Sequence, residues 1–545
     1  MITHRRRATG PWSRGHLSTL AAALLIALPL FSSAAQAQRN VRPRQGGTLV
    51  IAGGSDLQNL NSLVNSESWT TEFINNVLFL PLIRLKSDLT YEPALAQSWR
   101  MLGDTGVIFR LRRDVFWHDG RRTSAYDVAF TFNRAKDEAT AFPNSDYFDK
   151  WQRAQVIDSF TIRFAFQRHV EPLMGWVATA IMPRHLLDSI PPGRLRQAAF
   201  NKNPVGNGPF RFVSYRANDR WVFDANPSYP RALGGRPHID RVIWRIVPDN
   251  TAQVTELSTG QADIITAARA EQAKQLRTRP DLRLVLRPNT NYAMIVWNGK
   301  RAPLNDARLR RALTMGINRQ EMIDVLRAGF AQIATSPVPP FHWAFDRSLP
   351  PIPYDTLGAR ALLRAAGYQD RNRDGIVEDA AGKPLELELK VAANNSFNRD
   401  VGELVRASLA RIGVGISARP VDFPTMVQDI SSPERKFDAA FLQFSTDLRL
   451  SFHDAFHSAA IEGPFQSASF RNAELDRLLD RLDVTTDRKK AVPAWHRVQR
   501  ILRDEQPWTF LWWAPNIIVM RDRVQNATMD VRGALRTLPQ WWLSR

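Results

Sequence analysis

The run from Tyr91 to Arg134 constrains this chain more than any other segment, because it dictates a strand, a turn and a capped helix in succession. The β-branched pair Val107-Ile108 opens it. Val107, Phe109 and Leu111 then alternate with Arg110 and Arg112, the period of a strand with one buried face. Asp119-Gly120 is a turn pair, since glycine tolerates a positive φ. Ser124 opens a helix. Its hydroxyl can accept the free amide of Asp127 while the Asp127 carboxylate reaches back, and Val128, Phe132 and Ala135 give that helix a buried side.

With 545 residues the chain is too long for one core, so two or more domains are expected. Hydrophobic content of 44% and charged content of 23% are those of a soluble globular protein. The 16 Trp are unusual; most are expected in cores, and a minority could line a ligand cleft. Arg5, Arg6, Arg7 and Arg14, the apolar stretch Thr19–Phe31 and the small-x-small triplet Ala35-Gln36-Ala37 read as a cleavable secretory signal, 1–37, with Gln38 first in the mature chain. The apolar pair and Lys usual after a twin-arginine motif are absent, which favours general secretion. There is no Cys, hence no disulfide, no Cys-ligated metal and no Cys nucleophile. Removing the four signal arginines from the net charge of +20 leaves +16. The arginines are scattered, as Arg308, Arg310 and Arg311 illustrate, so they read as a solvated surface open to anionic ligands or membrane surfaces, and no nucleic-acid partner is expected.

Further elements follow along the chain. Gly46–Ala52 reads as an opening strand, Trp69–Arg84 as helical, Phe210–Tyr215 and Arg241–Ile246 as strands, and Leu257–Gly260 as a helix end before Asp263-Ile264. Tyr292–Asn298 is the next strand. Asp306 and Asn318 cap helices, Gly329 stops the second, and Ala359–Ala366 is a helix closed by Gly367. Leu385–Val391, the stripe Val401 to Ile412 and Val414–Ala418 make a strand–helix–strand crossover. Phe437–Phe444, Asn472–Leu482, Val492–Arg503 and Thr509–Trp513 complete the pattern.

Pro93-Ala94-Leu95-Ala96, Ser98-Trp99, Phe109-Arg110-Leu111-Arg112, Phe116, His118-Asp119-Gly120 and Asp127-Val128 stand in an order that resembles the extracytoplasmic solute-binding proteins of family 5, the binding components of peptide and nickel ABC importers. Val205-Gly206-Asn207-Gly208-Pro209-Phe210 is similar to another family segment, with Asn207 where Thr is usual. The likeness extends from about Gly46 to Asn526. It implies an α/β fold: a two-lobed periplasmic-binding-protein clamshell with an extra subdomain in lobe I. Lobe I would comprise 46–286, with the subdomain at about 76–200, and a C-terminal return at 516–545; lobe II would be 287–515. The resemblance also implies a periplasmic monomer that delivers a short peptide or peptide-like solute to a membrane permease. The missing Cys excludes a lipid-modified N-terminal Cys.

The expected ligand-binding residues are Gln443, Phe444, Ser445, Asp447 and Arg449. They follow a strand, at the end where ligands of open α/β sheets collect. In peptide-binding members an Asp similar to Asp447 pairs with the peptide ammonium. Here Phe444 replaces a Trp, and Arg449 either binds a ligand carboxylate or neutralises Asp447. That departure keeps a metal-chelate or oligosaccharide receptor as the alternative. No cofactor, bound metal or catalytic residue is expected, and an exported hydrolase is the least favoured reading. His453 and His457, with Asp454 between, have the spacing of a metal pair, but the neighbouring aromatics favour packing. Asp370, Asn372, Asp374 and Gly375 resemble half a calcium loop, yet Ala381 stands where the twelfth-position Glu belongs, so a structural turn is expected.

Overall fold

Two mixed sheets organise the protein, described here by a computed structural model for residues 43–544. The expected signal region, 1–37, lies outside the described residues. The first sheet has seven strands in the order Leu282–Arg287, Asn516–Arg521, Ile264–Ile265, Thr48–Gly53, Arg241–Ile246, Arg220–Ala225 and Phe210–Arg216. Thr48–Gly53 is parallel to both of its neighbours. The second sheet has six: Gln332–Ile333, Trp508–Trp513, Asn291–Trp297, Ala439–Ser445, Glu386–Ala392 and Gly415–Val421. The chain therefore crosses between sheets twice, at 288–290 and at 514–515.

The sequence explains why the second sheet is buried on both faces. Asn291–Trp297 is apolar after its first residue, and its alternate side chains enter different cores. Tyr292, Met294 and Val296 pack with Trp508 and Phe510, whereas Ala293, Ile295 and Trp297 pack with Leu309, Leu313 and Val401. A bulge opposite Ala293/Met294 leaves Leu511 unpaired between Phe510 and Trp512. The crossover is as expected: helix Ser396–Ala410 links the parallel strands Glu386–Ala392 and Gly415–Val421.

Within 76–200 a four-stranded antiparallel sheet forms from Ala96–Met101, Gly106–Leu111, Thr161–Phe166 and Trp151–Asp158. Val107, Phe109 and Leu111 are buried and Arg110 is exposed. Helix Ala125–Lys136 starts after Ser124, with the expected capping box between Ser124 and Asp127. The Asp127 carboxylate accepts the Ser124 amide at 2.8 Å and its hydroxyl at 3.1 Å, so the serine donates. At the other end of the protein, Arg523 holds the buried Asp263 at 2.6 and 2.9 Å, fastening the C-terminal segment to the first sheet.

Two expectations need correction. The stretch Trp69–Arg84 is helical only to Leu78. Pro81 has no amide to continue a helix, and the Leu80 amide goes to the Asn207 side chain at 2.8 Å. The chain runs extended, and Ile83–Leu85 pairs with Tyr91–Pro93. Asn207 thus fills the place the family gives to Thr, and the glycines beside it are required by contact. A Cβ on Gly206 would lie 1.9 Å from the Leu78 carbonyl oxygen. The last long helix is Arg488–Glu505 and begins a turn before Val492, because Asp487 caps it by accepting the Lys489 amide at 2.9 Å. No helix among the described residues is long and apolar enough to cross a membrane.

Candidate ligand cleft

The largest cavity described, about 700 Å³, opens between the two sheets. This is the size that encloses a small ligand. The crossing segment 288–290 lines it through Pro288, Asn289 and Thr290, Asn516 lines it at the start of the strand that follows the other crossing, and the Asn289 side-chain amide donates to the Asn516 side-chain oxygen at 2.9 Å. Its other walls come from the helix around Trp69 and Glu72, the extended strand at Arg84 and Leu85, Tyr147, and the C-terminal residues Val531, Arg532 and Arg536. Trp69 is one indole that lines the cleft; twelve others, including Trp221, Trp244 and Trp508, are buried.

The electrostatics of this cavity are lopsided. Arg84, Arg287, Arg532 and Arg536 line it against the single carboxylate of Glu72. Glu72 accepts the Ala534 amide at 2.8 Å and the Leu535 amide at 3.2 Å, and lies 3.5 Å from Arg287. Arg532 chelates Asp530 through contacts of 2.9 and 2.6 Å, and this pairing holds its guanidinium above the ordinary range. Arg536 donates to Glu92. Burial first, and then the neighbouring Arg84 charge, push Arg536 down to about 10.

Of the expected site residues, Ser445 lines the main cavity, and its hydroxyl lies 3.0 Å from that of Thr290. Gln443 and Phe444 line a separate apolar pocket of about 560 Å³ with Met294, Met426, Phe465 and Trp508. Asp447 lies at the rim. It accepts the Arg449 amide at 2.8 Å and the Arg449 guanidinium at 2.9 and 2.7 Å. Arg449 also donates to Asp146 and stacks 4.0 Å above the Tyr147 ring. Burial opposes its charge, but the facing Asp447 carboxylate, with Tyr147 and Asp146, outweighs that and raises its affinity for a proton. Asp447 is therefore engaged within the chain, and the same arginine spans from the second sheet to the segment carrying Asp146.

A second bridge lies on the same rim. Arg488 donates to Glu171 at 2.6 Å and to the Leu89 carbonyl at 2.8 Å, and Tyr91 donates to Glu171. His342 lies between these bridges, its Nε2 3.1 Å from the Leu448 carbonyl oxygen. Burial pushes His342 down to about 4.

The other candidate clusters resolve as follows. His453 and His457 stack at 4.1 Å and approach Asp480 at 3.7 and 3.3 Å, and His453 also lies 4.0 Å from Asp454. In the Asp370 loop, Asp370 accepts the Arg373 and Gly375 amides, and Asp374 accepts the Ile376 amide, so these carboxylates hold the turn itself. Sequence reading had missed Glu72, Arg287, Arg532 and Arg536, which come together from distant parts of the chain. It had also passed over Arg84, although one signal marks it: a lone cation in the apolar run Val77–Leu85.

Comparison with known proteins gives the same architecture. The oligopeptide-binding protein AppA of Bacillus subtilis (strain 168) is 27% identical over 549 residues, covering 99% of this chain and 100% of that protein. Heme-binding protein A of Haemophilus influenzae is 26% identical, covering 90% of this chain and 92% of its own. The structure of AppA from Bacillus subtilis in complex with a nonapeptide superposes with a TM-score of 0.73 at 25% identity, over 92% of this chain and 100% of that one. Residues 90–458 match the family model of the bacterial extracellular solute-binding proteins, family 5 (middle region), and the chain belongs to that family, with its two-lobed α/β fold.

Proposed function

We propose that this chain captures a short peptide or peptide-like solute between its sheets and delivers it to the permease of an ABC importer. The observation that carries this reading is the cavity of about 700 Å³ between the sheets, lined by the crossing segment 288–290 and by Asn516 beside the other crossing. The name of the Bacillus relative, and the nonapeptide in its structure, support a peptide-class solute. Lobe I would be 46–286 with 516–545, lobe II 287–515, and the hinge the crossings at 288–290 and 514–515. Binding stabilises the closed arrangement only by the extra affinity the solute has for it. No bond is made or broken. The working form is a periplasmic monomer released after Ala37.

The experiment is a thermal-shift screen of the mature protein, stripped of bound solute by partial unfolding and dialysis. The panel holds di- to pentapeptides, metal chelates and oligosaccharides. A peptide at a hundred times its dissociation constant adds about 2.7 kcal/mol, a shift of several degrees at most. Shifts with chelates or sugars alone would discard the peptide assignment.

A further inference from the structure

We infer that the solute in the main cavity carries an anionic group, a carboxylate or another planar or tetrahedral oxyanion, and that Arg84 receives it; this rests on the solute-capture reading above. Arg84 is 7% exposed and borders the cavity. Among the described residues it forms no ion pair, and its Nε is buried without a hydrogen-bond partner. The residue directly opposite on the neighbouring strand is Glu92, the expected counter-ion, but Glu92 gives its carboxylate to Arg536. The Nε of Arg536 is likewise buried without a partner.

A guanidinium keeps its proton, so a buried one cannot escape its cost by neutralising. A buried charge is retained where something answers it. Among the described residues nothing answers Arg84, and the only carboxylate lining the cavity, Glu72, is occupied by two backbone amides and Arg287. The remaining source is the cavity's contents. A carboxylate can take two parallel hydrogen bonds from one guanidinium, which matches the fork Arg84 presents. A neutral or cationic solute would leave the site unanswered.

The test uses the stripped mature protein in equilibrium dialysis, with retained solutes identified by mass spectrometry. One pool pairs di- to pentapeptides as free acids with the same peptides amidated at the C-terminus and carrying no acidic side chain. Other pools hold succinate, inorganic phosphate and neutral oligosaccharides. The expected result is retention of free acids at least tenfold above their amides. Arg84→Met should abolish that preference while leaving the melting temperature of the solute-free protein unchanged or higher, and Arg84→Lys should restore part of it. Retention of succinate or phosphate without peptides, lost in Arg84→Met, keeps the anion site and sinks the peptide reading. Equal retention of acids and amides, retention of neutral sugars alone, unaltered preference in Arg84→Met, or no retention in any pool overturns the inference. A drop in melting temperature for solute-free Arg84→Met would also overturn it, because Arg84 would then have a structural partner.

Discussion

The rim of the cleft and its inner wall handle arginine in opposite ways. On the rim, Arg449 is met by Asp447 and Asp146, and Arg488 by Glu171. On the wall, Arg84 has the burial of a core residue and no ion-pair partner among the described residues. The rim pairs join segments near 90–171 to segments near 447–488, so their charges act as fasteners between parts of the chain. The wall spends its charge on whatever enters. The difference shows that burial of a cation does not by itself indicate function: Arg319 and Arg435 are as buried and have no counter-ion, but backbone carbonyls accept from them, whereas nothing among the described residues accepts from Arg84.

Three experiments break or sharpen that contrast. The largest effect is expected for Glu171→Ala. It strips the carboxylate from Arg488 and from the Tyr91 hydroxyl at a position whose side chain is 7% exposed. A loss of about 3 kcal/mol is expected, the penalty of orphaning one half of a buried pair, read by urea unfolding. A loss no larger than a surface substitution would remove Glu171 from the fasteners.

Next comes the pH response at His342. Its folded value of about 4 lies below the usual 6.5, so the unfolded chain binds more protons between those values. The contribution is present above about pH 6.5 and is lost as pH falls towards 4. The expected difference is on the order of 2 kcal/mol between wild type and His342→Gln across that window. Parallel pH curves for the two proteins would contradict it.

The smallest effect is expected for Asp447→Asn, about 1 kcal/mol of stability, because Arg449 keeps Asp146 and the Tyr147 ring. The accompanying peptide titration decides the role of this residue. An unchanged affinity makes Asp447 a fastener alone, whereas a tenfold loss makes it the ammonium partner its sequence neighbourhood suggested.

Much of the fold was legible because local rules governed it. Arg241–Ile246 and the Asp306 and Asn318 caps lie where periodicity and capping chemistry put them. Trp69–Arg84 was misread because its apolar run suits helix and buried strand alike. A contact with Asn207, more than a hundred residues away, decides between them. The cleft was harder still. Arg84, Arg287 and Arg536 share no local pattern, and only the two sheets bring them to one cavity. Of the run Gln443–Asp447, the alternation of strand and loop sends Ser445 to that cavity, while Phe444 meets Tyr292 and Trp508.

The strand Asn516–Arg521 lies between Leu282–Arg287 and Ile264–Ile265, so the second of the seven strands of the first sheet is supplied from more than two hundred residues further along the chain than its neighbours. Until those residues leave the ribosome, the strand at Ile264 has an open edge and Asp263 lacks the guanidinium of Arg523. The second sheet waits in the same way for Trp508–Trp513, which lies between Gln332–Ile333 and Asn291–Trp297. One late segment therefore completes both sheets, and the cavity can exist only once the residues up to Arg536 have followed it.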